Sequence, residues 1–339
     1  MAREKMMRKA VPVVGIALMM ALGACSTTSS QSVPQPKSVN AAVPLMESKK
    51  FSQIVSDTAK ALAQADKEAN GAKLPARIGN PLRAQRSGEY RLKKGMGEKF
   101  TLDPIVLDPQ SVPVYSGRLF PRSVMTITAP TDRENLYTLS VWGTSSPREE
   151  LALVADVELF PGVDISALVS ADSTKDGYLG KDTKLSTAPA DVVNAYAKYL
   201  QDRKAGDVQF VADDQLYVKT EEQTKALSNS IKGLGKVSTK YVAGQTPVQA
   251  VSTEDGGALI VGEIRYTTTL EKTKSQATLT VGGELAGWIN QDPKKPSYEI
   301  EKSLATTYSS QVAFYLPAQG KIQVIGASAP SIVEMKANK

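Results

Sequence analysis

Two adjacent carboxylates, Asp213 and Asp214, follow the apolar Phe210-Val211-Ala212, with Tyr196, Tyr199 and Tyr217 close in the chain and Tyr266 further on. A carboxylate base with phenolic donors to hold an oxyanion is a proton-transfer constellation, provided an apolar cavity desolvates the acid. The immediate neighbours favour a plainer role. Gln215, Lys219, Glu221 and Glu222 are polar or charged, and an Asp just ahead of a helical stretch is an N-cap. The chain has no histidine, which excludes Ser-His-Asp and Cys-His nucleophile systems and every His-ligated metal site. A Ser-x-x-Lys acyl-enzyme pattern is also missing from the sequence. No catalytic residue is assigned, and an enzyme is not expected.

A second stretch has the look of a metal loop. Asp172, Asp176 and Gly177 fill the first, fifth and sixth positions of a twelve-residue calcium loop, but the twelfth is Thr183 instead of the bidentate Glu. Asp and Gly serve turns equally well in a solvated linker, so neither a metal nor a cofactor is expected. Trp142 and Trp288 are read as core residues before ligand platforms. Arg83, Arg86, Arg91, Lys93 and Lys94 form the densest basic run, read as a solvated helix face within reach of anionic headgroups.

The lone cysteine is Cys25, so no disulfide can form and the fold must be held by its core. Arg3, Lys5, Arg8 and Lys9 precede an apolar run, Val11 to Leu22, that ends in Gly23-Ala24-Cys25. This is the charged, apolar and small-residue order of an export signal. The run falls short of the roughly 20 residues a spanning helix needs. Leu22-Gly23-Ala24-Cys25 resembles the lipobox of bacterial lipoproteins. That resemblance implies cleavage between Ala24 and Cys25 and a lipid on the Cys25 sulfur, anchoring the chain to the extracytoplasmic face of a bacterial membrane. The 41 basic and 35 acidic residues give +6, of which residues 1–24 hold four basic and one acidic, leaving +3. So small and dispersed an excess is no nucleic-acid footprint.

The elements that must position the remaining side chains come in two runs. Residues 25–44 are Ser, Thr, Gln and Pro with little apolar content, a flexible tether reaching about 25 Å. Phe51, Ile54, Val55, Thr58, Leu62 and Ala65 then mark an amphipathic helix ended by Asn70-Gly71, and residues 82–94 a shorter one. The period becomes two over 123–129, 136–142 and 151–159, which read as antiparallel strands. A polar stretch is taken as a linker, 171–185. Helices recur over 187–200 and 220–232, followed by strands at 237–242, 247–252, 258–270, 275–285, 304–316 and 321–327. Gly282-Gly283 is read as a bulge, and 290–297 as an insertion. The shared order, with Val112-Pro113-Val114 matching Thr246-Pro247-Val248, predicts a duplication.

The expectation is an α+β fold in two tandem cone-like domains, 45–170 and 186–339, each with N-terminal helices packed on a curved antiparallel sheet. They follow a signal peptide (1–24) and a tether (25–44). This layout resembles the cone fold of the nuclear transport factor two-like superfamily. Arg118-Leu119-Phe120-Pro121-Arg122, Asn135-Leu136-Tyr137-Thr138 and Ala195-Tyr196-Ala197-Lys198-Tyr199-Leu200 resemble stretches of actinobacterial lipoproteins that carry a domain of unknown function. The resemblance carries no reaction with it. The expected function is a non-catalytic, lipid-anchored envelope module binding a protein or a wall polymer. A carrier of a small apolar ligand in a cone cavity and a histidine-free proton-transfer enzyme are the alternatives. Asp213, Asp214, Tyr196, Tyr199 and Tyr266 are the candidate ligand or partner residues, and the contents of any cavity separate the three readings.

Overall fold

The structure, a computed structural model, describes residues 46–108, 113–116, 120–129, 136–163, 185–204, 206–212, 214–253, 255–274 and 276–338. Helix α1 (Ser48–Glu68) buries the stripe Phe51, Val55, Thr58, Leu62 and Ala65 and closes on left-handed Ala69, whose N–H returns to the carbonyls of Ala65 and Asp66. Helix α2 (Leu82–Met96) follows, then β1 (Pro113–Tyr115), β2 (Arg122–Thr128), β3 (Thr138–Thr144) and β4 (Ala152–Leu159). The second run is α3 (Pro189–Asp202), α4 (Gln215–Ser230), β5 (Gly235–Ala243), β6 (Gln249–Ser252) and β7 (Ala258–Lys272). It ends with β8 (Thr280–Gly282), α5 (Gly283–Asn290), β9 (Ser297–Glu299), β10 (Ser303–Leu316), β11 (Gln323–Ala327) and β12 (Ser331–Asn338). The class is α+β, with helices preceding antiparallel strands in each half, as the periodicity predicts.

The two longest strands organise the rest. β7 and β10 pair without interruption from Ser303↔Glu271 to Leu316↔Ala258. At one end β6 lies beside β7 and β11 beside β10, and the sheet continues through β4, β3, β2 and β1. There it curls until β2 meets β6, where the Ser123 hydroxyl donates to Gln249 Oε1 at 2.6 Å. At the other end β5 lies beside β7 and β12 beside β10, giving an open lobe. Strand alternation fills the curled end with Leu139, Val141, Ala155, Val157, Leu259, Val261 and Ala313, each almost fully buried. Burying each of the larger of these contributes about 1.5–3 kcal/mol. On the opposite face of the ribbon, Val192 and Tyr196 of α3 pack on Ile260, Ile264, Val312 and Phe314.

The two halves therefore share strands instead of standing apart. β4 pairs β11 through Gly326↔Leu159 and Ala327↔Glu158, and the described residues form one compact unit. A division into 45–170 and 186–339 would cut that sheet, and the ribbon serves both ends. The signal peptide, the tether, Ala24 and Cys25, the calcium-like stretch, and the linker apart from Leu185 lie outside the described residues.

Three local expectations change. Gly282-Gly283 is not a bulge: Gly283 sits at φ +57°, the strand stops there, and α5 begins. Gly287 of α5 then packs so closely on α2 that a Cβ at Gly95 would lie 1.9 Å from the Gly287 carbonyl oxygen, so only glycine fits at Gly95. Helix α4 starts five residues before Thr220, where the Asp214 cap sets it. Strand β12 alternates too weakly to be read from sequence, and long β10 supplies its partner. Trp142 is fully buried edge-to-face on Phe51 at 5.7 Å, and Trp288 is buried beside α2, both as core residues.

The basic run is only in part a solvated helix face: Arg91 and Lys94 are exposed, whereas the other cations are wholly or partly buried. Arg86 is buried and forks onto both Asp66 oxygens at 2.8 and 2.7 Å, with Glu89 Oε2 at 2.7 Å. Arg83 donates to the carbonyls of Leu74, Pro75 and Ile78. Arg91 donates to Trp288 O and lies 4.9 Å above its ring, and Lys93 donates to Phe100 O. These cations staple α2 to its neighbours.

Candidate functional site

Asp214 caps α4, accepting the Tyr217 N–H at 2.9 Å, and the same oxygen accepts the Tyr196 hydroxyl at 2.7 Å. Burial raises the Asp214 carboxyl and, more strongly, the Tyr196 phenol. The pair is thus close enough to share a proton, yet Tyr196 is wholly buried among Tyr199, Phe210 and Phe314. A substrate cannot reach it. Tyr199 packs on Tyr196, Phe210 and Tyr217 under the Arg203 guanidinium. Asp213 lies outside the described residues, and Tyr266 belongs to a separate cluster on the open lobe. The expected site residues therefore split into a structural cap, an aromatic core and one distant tyrosine.

A cavity of about 390 Å³ opens at the mouth of the curled sheet. Ala76, Gly79 and Pro81 ahead of α2, Ala152 and Val154 of β4, Pro247 and Val261 supply apolar walls. Glu263, Gln249 and Gln311 bring polar groups into it, and exposed Glu149 and Glu150 stand at its rim. Their placement follows from strand parity. Glu263 continues the inward series Leu259 and Val261, and Gln311 the series ending in Ala313. Glu263 is only 7% exposed. Its Oε1 accepts the Ser309 hydroxyl at 2.7 Å, while Oε2 receives only a long 3.4 Å contact from Thr246. Arg265 stands 3.9 Å from Oε1. A carboxylate offers about four acceptor positions, so Glu263 keeps capacity to spare.

The glutamines differ in this respect. Gln311 donates to Gln85 Oε1 at 2.7 Å and to Val154 O at 3.1 Å, and accepts the Asp156 N–H at 2.9 Å. Gln85 in turn donates to Ser309 O, pinning α2 across the sheet. Gln249 accepts from Ser123 and donates once, to Pro247 O, leaving a second amide hydrogen. Gly244 passes so close over Glu263 that a Cβ there would lie 2.2 Å from Oε2. The mouth thus presents a buried acceptor and a spare donor within apolar walls, suited to a small and mostly apolar molecule with one hydrogen-bonding end.

A second cavity, about 590 Å³, lies beside α2 and is lined by Arg86, Glu89, Asp103, Asp156, Glu158 and several hydroxyls. Burial pushes the Asp156 carboxyl up to about 6, against the hydrogen bond from Ser140 at 2.8 Å and the nearby Arg86 charge. Among the described residues no group of three or more Cys, Asp or Glu side chains is arranged to hold a metal ion, and no helix is long and apolar enough to cross a membrane.

Sequence reasoning missed Glu263 and Gln311. The signal was a charged residue inside Ala258-Leu-Ile-Val-Gly-Glu263-Ile264, and an amide just before Val312-Ala313-Phe314-Tyr315-Leu316. Each interrupts an otherwise apolar strand.

Residues 175–334 match the model of a domain of unknown function (DUF8094). The match covers the second run of helices and strands, including Glu263 and Gln311. No curated protein and no solved structure matches the chain.

Proposed function

We propose that this chain is a lipid-anchored, extracytoplasmic binding protein of the bacterial envelope, and that it holds a small, mostly apolar ligand with one hydrogen-bond-donating or cationic end at the mouth of the curled sheet. The observation that carries the reading is Glu263: a buried carboxylate with an unspent oxygen facing an apolar-walled cavity. A buried carboxylate whose one cationic neighbour, Arg265, stands as far off as 3.9 Å is costly unless something completes it. The carrier alternative thereby gains over a partner-protein or wall-polymer surface at this site. Binding without catalysis is supported by the complete burial of Tyr196, the phenol that Asp214 holds, and by the use of Asp214 as a helix cap.

The anchor rests on Leu22-Gly23-Ala24-Cys25 and its basic, apolar preface, and the extracytoplasmic location on the same stretch.

Ligand binding to the folded state raises the melting temperature by mass action. Thermal denaturation with n-octylammonium should raise Tm in a concentration-dependent way, and n-octanoate should leave it unchanged. Equal shifts from both, or none from either, would refute the carboxylate-based reading.

A further inference from the structure

The open lobe carries a cleft of a different kind. Tyr241 of β5, Tyr266 of β7 and Tyr308 of β10 stand directly opposite one another in the registers Tyr241↔Tyr266 and Tyr308↔Tyr266. Their rings form a ladder, with centroids 5.3 Å apart for the first pair and 5.0 Å for the second, the latter only 16° from parallel. Side chains stand perpendicular to a sheet, so such a row turns its edges and hydroxyls away from the strands. Above it lies a cavity of about 360 Å³, walled by α4 and rimmed by Glu284 of α5 and Pro330.

Two features are out of keeping with a packed interior. A helix laid on a sheet turns its apolar stripe inward, but α4 faces the cleft with Thr220, Gln223 and Thr224, and only Leu227 is apolar there. The Tyr266 residue is 92% buried, yet among the described residues its hydroxyl has no hydrogen-bond partner, and neither has that of Tyr308. A hydroxyl without a protein partner must turn to solvent or a ligand, and these two adjacent ones open into the cleft.

The chemistry of the lining selects the ligand. No basic group lines the cleft among the described residues, so an anion has nothing to pair with. The one carboxylate, Glu284, is exposed at the rim, so a cation has no buried seat. What remains is a set of neutral groups that both donate and accept, two phenols and a Gln amide, beside ring edges, Leu227 and Pro330. A sugar matches this composition: each hydroxyl both donates and accepts, and its C–H faces meet apolar surface. We infer that the tyrosine-floored cleft between α4 and the open lobe is a saccharide-binding site, sized for one or two sugar rings. It does not depend on the cavity around Glu263, whose side chain leaves β7 on the opposite face of the sheet from Tyr266.

The test uses the full chain with maltotriose, cellotriose and chitotriose as probes, read by saturation-transfer NMR and titration calorimetry. Tyr266→Phe/Tyr308→Phe keeps the ring ladder and removes only the two unpartnered hydroxyls, so its melting temperature should stay with that of the wild type. The expected result is saturation transfer to ring protons of at least one trisaccharide, with affinity falling about tenfold or more in the double variant while n-octylammonium still raises Tm. No transfer to any of the three sugars would overturn the assignment. Binding that survives the double variant unchanged would overturn it as well.

Discussion

Glu263 of β7 and Gln311 of β10 stand directly opposite each other, at the point where the ribbon passes from the curled end to the open lobe. Both point inward, and between them they join α2, the sheet and the cavity. Gln311 ties Gln85 of α2 to the backbone of β4, and Glu263 takes the hydroxyl of Ser309, whose carbonyl accepts Gln85. One polar seam thus fixes the helix and presents the carboxylate oxygen that takes only a long hydrogen bond from Thr246.

That seam makes Gln311 a position of high sensitivity. Gln311→Leu would strand Gln85 Oε1, Val154 O and the Asp156 N–H, each costing about 1–3 kcal/mol when left buried and unpaired. Chemical denaturation should show a loss of about 3 kcal/mol or more. Because the amides share a bond, Gln85→Leu/Gln311→Leu should be less destabilised than the sum of the two single changes. Strict additivity would mean the pair does not interact.

Asp156 should make stability fall as pH rises. Its folded-state value, about 6, lies above the ordinary 3.8, so between these the folded chain holds a proton that the unfolded chain has released. Stability from this group is therefore fully present below about pH 4 and lost as pH climbs through 6. Arg86, Glu89, Asp103 and Glu158 line the same cavity and set the field around it. Asp156→Asn removes the titration while keeping an acceptor for Ser140. Its Tm advantage over the wild type should be near zero at pH 4 and should reach a plateau by pH 7. A flat difference across that range would contradict the assignment.

Shared strands should make unfolding a single event. With β4 on β11 and one ribbon serving both ends, calorimetry of the chain is expected to give one transition whose van't Hoff and calorimetric enthalpies agree. Two resolved transitions would restore separate domains.

This is also where the sequence was least legible. Period-two alternation located most strands, and the apolar stripe of α1 located its helix, because local spacing determines both. Which strands pair is a long-range matter. The β4–β11 contact joins residues more than 150 positions apart, and nothing local in Leu159 or Gly326 announces it. The candidate site was hidden for the same reason. Asp213 and Asp214 are adjacent in sequence and drew attention, whereas Glu263, Gln249 and Gln311 meet only after the sheet curls. Tyr266 was visible as a tyrosine, but its ladder with Tyr241 and Tyr308 depends on register.

Membrane attachment should rest on the Cys25 sulfur. Acyl chains contribute about 0.8 kcal/mol per buried methylene, so two of them anchor stably. Cys25→Ala should leave the detergent phase of a phase-partitioned membrane extract and carry the uncleaved residues 1–24, detected by intact mass. Wild-type chain recovered unacylated would contradict this.

The most direct test of the central claim is calorimetric titration of n-octylammonium and n-octanoate into the wild type and into Glu263→Gln. The glutamine keeps an acceptor for Ser309 and removes only the charge. The account predicts that the wild type prefers the cation by about tenfold or more, equivalent to about 1.4 kcal/mol, and that Glu263→Gln loses this preference. Equal affinity of the wild type for both probes, or a cation preference that survives Glu263→Gln, would contradict it.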